Sequence, residues 1–159
     1  PKNITDFWGK LPSNLDAAFT WGFNQKTYFF KGALFYEYDE KRQNISSGYP
    51  KYIKDIWKGV PTNIDSVFTW AKDGKTYFFK GKFYYKYDDK NGRVERGYPK
   101  YIERRWESDQ PFNNMNAIFS HSDGKTYIIR GDKYWLLGND DRVLSGYPRQ
   151  LNDKFSGLY

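Results

Sequence analysis

A chain of 159 residues suits one compact domain, and its formal net charge of +7 favours acidic partners such as sulfated glycans or anionic proteins. It has no cysteine, which excludes disulfides, thiol catalysis and cysteine-ligated zinc or iron–sulfur centres. No apolar run is long enough to span a bilayer.

No signal peptide is visible, so a secreted form would be a mature chain or an excised piece. Two acceptor sequons, Asn3-Ile4-Thr5 and Asn44-Ile45-Ser46, point towards secretion. Aromatic residues make up 21% of the chain; they carry large buried area per residue and favour strands over helices.

Residues 1–12 read as the tail of a repeat. Pro1, Ile4 and Trp8 recur 49 residues later as Pro50, Ile53 and Trp57, and again as Pro99, Ile102 and Trp106. Three repeats follow, at 13–59, 60–109 and 110–159. Gly-Tyr-Pro begins at Gly48, Gly97 and Gly146, and Lys-Thr-Tyr at Lys26, Lys75 and Lys125. A fixed period near 49 marks an architecture of stacked units.

Within each repeat the elements come in one order. A short apolar strand opens it: Leu15–Phe19, Ile64–Phe68 and Met115–Phe119. A turn follows, clearest at Asp73-Gly74 and Asp123-Gly124. The second strand covers Thr27–Lys31, Thr76–Lys80 and Thr126–Arg130. Gly32, Gly81 and Gly131 mark the next turn, and a third strand such as Phe83–Asp88 leads through a polar loop to Gly-Tyr-Pro. After it the apolar period becomes helical, as in Ile53, Ile56 and Trp57. This predicts a helix of about two turns, with proline in its first turn, ending near Gly59.

The second strand is apolar on both faces: Tyr28 and Phe30 point one way, Phe29 the other. A strand buried on both faces needs neighbours on each side, which blades stacked around an axis provide. Small residues in the opening strands (Ala17, Ala18, Ser66 and Ala117) suit convergence on that axis. The expected class is therefore all-β, a propeller with a short helix closing each repeat.

The combination Asp-Ala-Ala-Phe, Lys-Thr-Tyr-Phe-Phe-Lys-Gly, Tyr-x-Tyr-Asp and Gly-Tyr-Pro-Lys-x-Ile-x-x-x-Trp resembles the repeat of hemopexin-like domains. These occur in hemopexin and in the C-terminal domains of matrix metalloproteinases. The likeness extends from Pro1 to Phe155 and implies a hemopexin-like β-propeller over 1–159, with three full repeats of an expected four blades. The cysteines that clasp first and last blades in that family are absent. A leading blade has been removed, or the chain closes in another way, or a second chain completes the ring as a homo-oligomer.

The resemblance also implies an axial site. Backbone carbonyls of Asp16, Asp65 and Asn116 would hold a structural calcium or sodium ion. Backbone amides of Ala18, Val67 and Ile118 would hold chloride. Lys2, Lys51, Lys100 and Arg149 follow the proline at matching positions. They are candidate polyanion contacts, unless each packs its stem on an aromatic and keeps its charge in water.

No catalytic residues emerge. His-Glu-x-x-His, Gly-x-Ser-x-Gly, the P-loop and the dinucleotide fingerprint are all missing. Asp39, Asp88, Asp89, Asp140 and Asp141 follow the third strands and read as solvated loop charges. The single histidine, His121, reads as a loop residue and argues against haem binding.

Interleaved basic and aromatic residues, as in Lys80–Tyr87, follow core patterning, so no nucleic-acid partner is expected. The expected function is a secreted, non-catalytic recognition module for extracellular protein, matrix or glycan, which includes the substrate-binding domain of a secreted protease. The alternative is a haem or small-ligand carrier.

Overall fold

Three antiparallel hairpins of near-identical geometry form the frame. The computed structural model describes residues 4, 8, 11–106, 111–112, 115–121, 123–138, 140 and 142–155. In the first sheet β1 (Ala17–Thr20), β2 (Thr27–Lys31) and β3 (Leu34–Asp39) pair in order, and β3 also pairs β4 (Asn44–Ile45) and β5 (Lys51–Tyr52). The second repeats this with β6 (Ser66–Thr69), β7 (Thr76–Lys80), β8 (Phe83–Asp88), β9 (Arg93–Val94) and β10 (Lys100–Tyr101). The third contains β11 (Ala117–Ser120), β12 (Thr126–Arg130), β13 (Lys133–Leu137) and β14 (Arg149–Gln150).

The first turn of each blade is built by one device. Asn24, Asp73 and Asp123 each accept the backbone N–H two residues on, from Lys26, Lys75 and Lys125. The intervening residue is left-handed. Gly74 and Gly124 take that conformation without steric cost, but the first repeat places Gln25 there at φ 61°.

The hydrophobic pattern predicts neither the short outer strands nor so short a helix. Only one turn forms, α1 (Ile53–Ile56) and α2 (Ile102–Arg105), and in the third repeat a single 3₁₀ turn at Leu151–Asp153. The prolines lie outside these helices. Each follows a cis Tyr–Pro bond, and the residues after it, Lys51–Tyr52, Lys100–Tyr101 and Arg149–Gln150, pair with the third strand instead. Ladder pairing of those residues leaves only three or four for the turn.

Packing explains why the middle strands are apolar on both faces. Phe19, Tyr28, Phe30 and Phe35 of the first blade meet Val67, Phe78 and Tyr87 of the second, with Ile53, Trp57, Val60 and Ile64 between them. Phe68, Tyr77, Phe79 and Tyr84 of the second meet Ile118, Ile128, Trp135 and Leu137 of the third, around Ile102, Trp106, Phe112 and Met115.

The opposite face of the first blade, with Phe29, Tyr36 and Tyr38, is covered by Leu11, Leu15 and Trp8. The last face of the third blade, with Tyr127 and Tyr134, is covered by Leu151 and Phe155. Each sandwich thus consists of a blade face, the segment after Gly-Tyr-Pro and the next blade face. The equivalent aromatics Trp57 and Trp106 are fully buried, whereas Phe155 is half-buried.

Candidate functional site

The opening strands meet, as small side chains there require. β6 lies against both β1 and β11. Ser120 Oγ donates to the Thr69 carbonyl at 2.9 Å, and the Gly22 N–H donates to Thr69 Oγ1 at 3.0 Å, so the three blades are tied together at one end of these strands. One cavity of about 380 Å³ is lined by Ala18, Val67 and Ile118 together with their strand neighbours. Another, of about 520 Å³, is lined by Asp16, Asp65 and Asn116, with Lys80 beside them. The residues expected at the axis are therefore gathered into two cavities, one for each group of three.

The side chains of the cation triplet are already committed. Asp16 Oδ2 accepts from the Gly32 N–H at 2.6 Å, Asp65 Oδ2 from Gly81 at 2.5 Å, and Asn116 Oδ1 from Gly131 at 2.7 Å. Asp16 and Asp65 also face Lys31 and Lys80 at 3.2 Å. An uncharged asparagine fills the third position in the same way, so these side chains brace the turn between second and third strands. Among the described residues no cluster of three His, Cys, Asp or Glu side chains is placed to hold a metal. An ion here would draw on backbone oxygens, and a hard cation suits that donor set.

At the blade edges the cations sit over rings. Lys51 Nζ lies 4.6 Å from the centroid of Tyr49, Lys100 Nζ 4.7 Å from that of Tyr98, and the Arg149 guanidinium 5.0 Å from that of Tyr147. Lys2 lies outside the described residues. The three described cations are exposed. Each pairs with the tyrosine of the preceding Gly-Tyr-Pro, and a ring holds a cation without neutralising it.

His121 is at the first turn of the third blade, exposed, with Nδ1 3.3 Å from Asp123 Oδ1. Asp123 also accepts from the Tyr127 hydroxyl at 2.7 Å. That donated hydrogen bond is the main reason its carboxyl is held down to about 2.

The loop carboxylates divide. Asp39 and Asp88 accept backbone N–H groups of the turns that follow them, and Asp140 accepts from Arg142. Asp141 lies outside the described residues. Asp89 is not a solvated loop charge. It is only 9% exposed and receives Trp21 Nε1–H at 2.7 Å from the first blade and the Thr76 hydroxyl at 2.8 Å from its own. Trp21 follows the opening strand and leans across the blade boundary against Trp57 and Tyr87.

Sequence reasoning also missed Glu37. Its carboxylate is buried and accepts from Lys26 Nζ, the Tyr28 hydroxyl, Ser46 Oγ and the Tyr49 hydroxyl at 2.7–3.1 Å. Burial by itself would raise its pKa; the four donors overcome this and lower it. The available signal was a lone acid between Tyr36 and Tyr38.

The hemopexin family model matches residues 15–62, 64–108 and 116–158. The chain belongs to the hemopexin family. Several solved plant proteins share the fold. A plant lectin with two metal binding sites from Cicer arietinum superposes with a TM-score of 0.74 at 22% identity, over 94% of this chain and 75% of that one.

The hemopexin-fold protein CP4 from cow pea gives 0.74 at 19% identity, over 94% and 76%. A plant albumin from Cicer arietinum showing hemagglutination gives 0.69 at 22% identity, over 87% and 68%. Three hemopexin repeats, each an antiparallel blade, account for the all-β propeller architecture. Among the described residues no helix is long and apolar enough to cross a membrane.

Proposed function

We propose that this hemopexin-family chain is a non-catalytic recognition module that binds an extracellular glycan or matrix protein through its blade edges. The observation that carries this reading is the repeated cation on a tyrosine ring, Lys51, Lys100 and Arg149, presented outward at the same place on each blade. A lectin and a hemagglutinating albumin of the same fold support a binding role over a catalytic one. Secretion, attachment to a protease whose substrate this module would engage, and pairing with a second copy belong to the same proposal.

The axial cavities have a structural part in it. The carbonyls of Asp16, Asp65 and Asn116 would hold calcium or sodium, and the amides of Ala18, Val67 and Ile118 would hold chloride. Their chemistry would be to tie the blades together, leaving recognition to the outer edge. Because the Asp16 and Asp65 carboxylates already cap Gly32 and Gly81, Asp65→Asn should leave calcium affinity within about two-fold by calorimetry. A loss of ten-fold or more would make the carboxylate itself a ligand.

The module reading is tested by screening the chain against immobilised glycans and matrix proteins, alongside a haemin titration followed in the Soret band. Saturable binding to a glycan or matrix protein, with no stoichiometric Soret shift, is expected. A one-to-one haem complex with no macromolecular ligand would replace the module with a carrier.

A further inference from the structure

We infer that the second blade carries a binding pocket for a sulfated saccharide, formed by Lys100, Arg104 and Arg105 around Tyr84 and Tyr101. This names the ligand class for the recognition role proposed above and rests on it.

The three repeats are not electrically equivalent here. Where the second has Arg104 and Arg105, the matching positions are Asp55 and Ile56 in the first and Asp153 and Lys154 in the third. A cavity of about 540 Å³ opens beside the arginine pair, lined by Tyr84, Gly97, Pro99, Lys100, Tyr101, Arg104 and Arg105. It holds three cations and no carboxylate. Cavities of this size take small ligands.

Aromatic rings position all three cations. Lys100 lies over Tyr98, and Arg104 over Tyr101 at 5.2 Å. Arg105 is half-buried and lies 5.0–5.8 Å from the centroids of Trp70, Tyr77, Tyr84 and Trp106. Among the described residues neither Lys100 nor Arg104 has an ion-pair partner. Held by rings, the Lys100 and Arg104 charges remain available to an anion.

The donor geometry selects the ligand. A guanidinium presents parallel N–H groups that match two oxygens of a tetrahedral oxyanion, and charge-assisted bonds of this kind are the strong ones. Tyr84 and Tyr101 add apolar faces on which the C–H groups of a sugar ring can rest. A rigid ring bearing several sulfates meets cations and tyrosines together, whereas an acidic peptide engages only the charges.

The test is calorimetric titration of the intact chain with a heparin tetrasaccharide. The double substitution Lys100→Glu with Arg104→Glu should weaken binding at least ten-fold. Lys41→Glu with Lys54→Glu makes the same change in net charge at exposed positions of the first blade and should weaken it less than three-fold. Bound tetrasaccharide should also protect Lys100, and not Lys54, from acetylation in the unaltered chain, a readout independent of how the variants fold.

Equal losses in both pairs, no binding by the unaltered chain, or equally tight binding of poly-glutamate at this pocket would each overturn the site. Binding of a different glycan or matrix protein that both double variants retain would leave the module standing and remove only this pocket.

Discussion

Asp89 shows what a single buried carboxylate does at a blade boundary. Two donors from different blades converge on Oδ1, while Oδ2 is buried without a partner among the described residues. An unpartnered buried oxygen is a cost, and two charge-assisted donors offset it. Asp89→Ala strands the Trp21 indole N–H and the Thr76 hydroxyl, and should destabilise the fold by about 1–3 kcal/mol in a denaturant titration. A change within about 0.3 kcal/mol would mean that the bridge contributes nothing net. The sequence did not distinguish this residue from Asp88 beside it, since both follow the third strand. What separates them is a tryptophan 68 positions earlier, a pairing that arises only when blades stack. Glu37 is similar: its four partners come from one strand, the turn before it, a loop and the Gly-Tyr-Pro segment.

Among elements, the segment after Gly-Tyr-Pro was legible in its role and misread in its length. The helical spacing of Ile53, Ile56 and Trp57 correctly brings an apolar side to the blade: Ile53 and Trp57 are fully buried. Ile56, however, is 45% exposed. The pairing of Lys51–Tyr52 and Lys100–Tyr101 with the third strands left no trace in hydrophobic period, being two residues long and exposed or half-exposed.

Trp106 fills the matching place between second and third blades. It stacks on Phe112 at 4.0 Å and packs edge-on to Tyr84 at 5.0 Å. Trp106→Ala should therefore cost roughly 3–5 kcal/mol. Its indole nitrogen is buried with no acceptor among the described residues, so Trp106→Phe, which removes that N–H and keeps a ring, should cost less than half as much. The third repeat already places Phe155 here. Equal losses for the two substitutions would show that the full indole volume, and not aromatic contact alone, is required.

For the whole molecule, the repeat made the architecture readable: a period near 49, strands apolar on both faces and small opening residues suffice to imply blades around an axis. The chemistry was less readable, because the repeat describes what the blades share, while the arginine pair and the Asp89 bridge are departures from it. One shared property gives a prediction for the entire fold. Burial pushes the hydroxyls of Tyr28, Tyr87 and Tyr98 up to about 12 from 10.0, and raises Tyr49 and Tyr77 further. Glu37 adds to this at Tyr28 and Tyr49, and Asp73 at Tyr77.

The native state therefore keeps protons that the unfolded chain releases. Stability from these groups is fully present below pH 10 and is lost as pH rises from 10 through about 12. The tyrosines concerned lie in the first and second blades and beside the sandwiches that join them, so their ionisation should be cooperative with unfolding. Absorbance at 295 nm should show one set of phenols titrating in the native chain and a second appearing only as circular dichroism collapses between about pH 10 and 12. If all fifteen tyrosines ionised in a single step near pH 10 with the dichroism intact, the buried phenols would not be sealed between blades, and the sandwich packing would have to be looser than their burial requires.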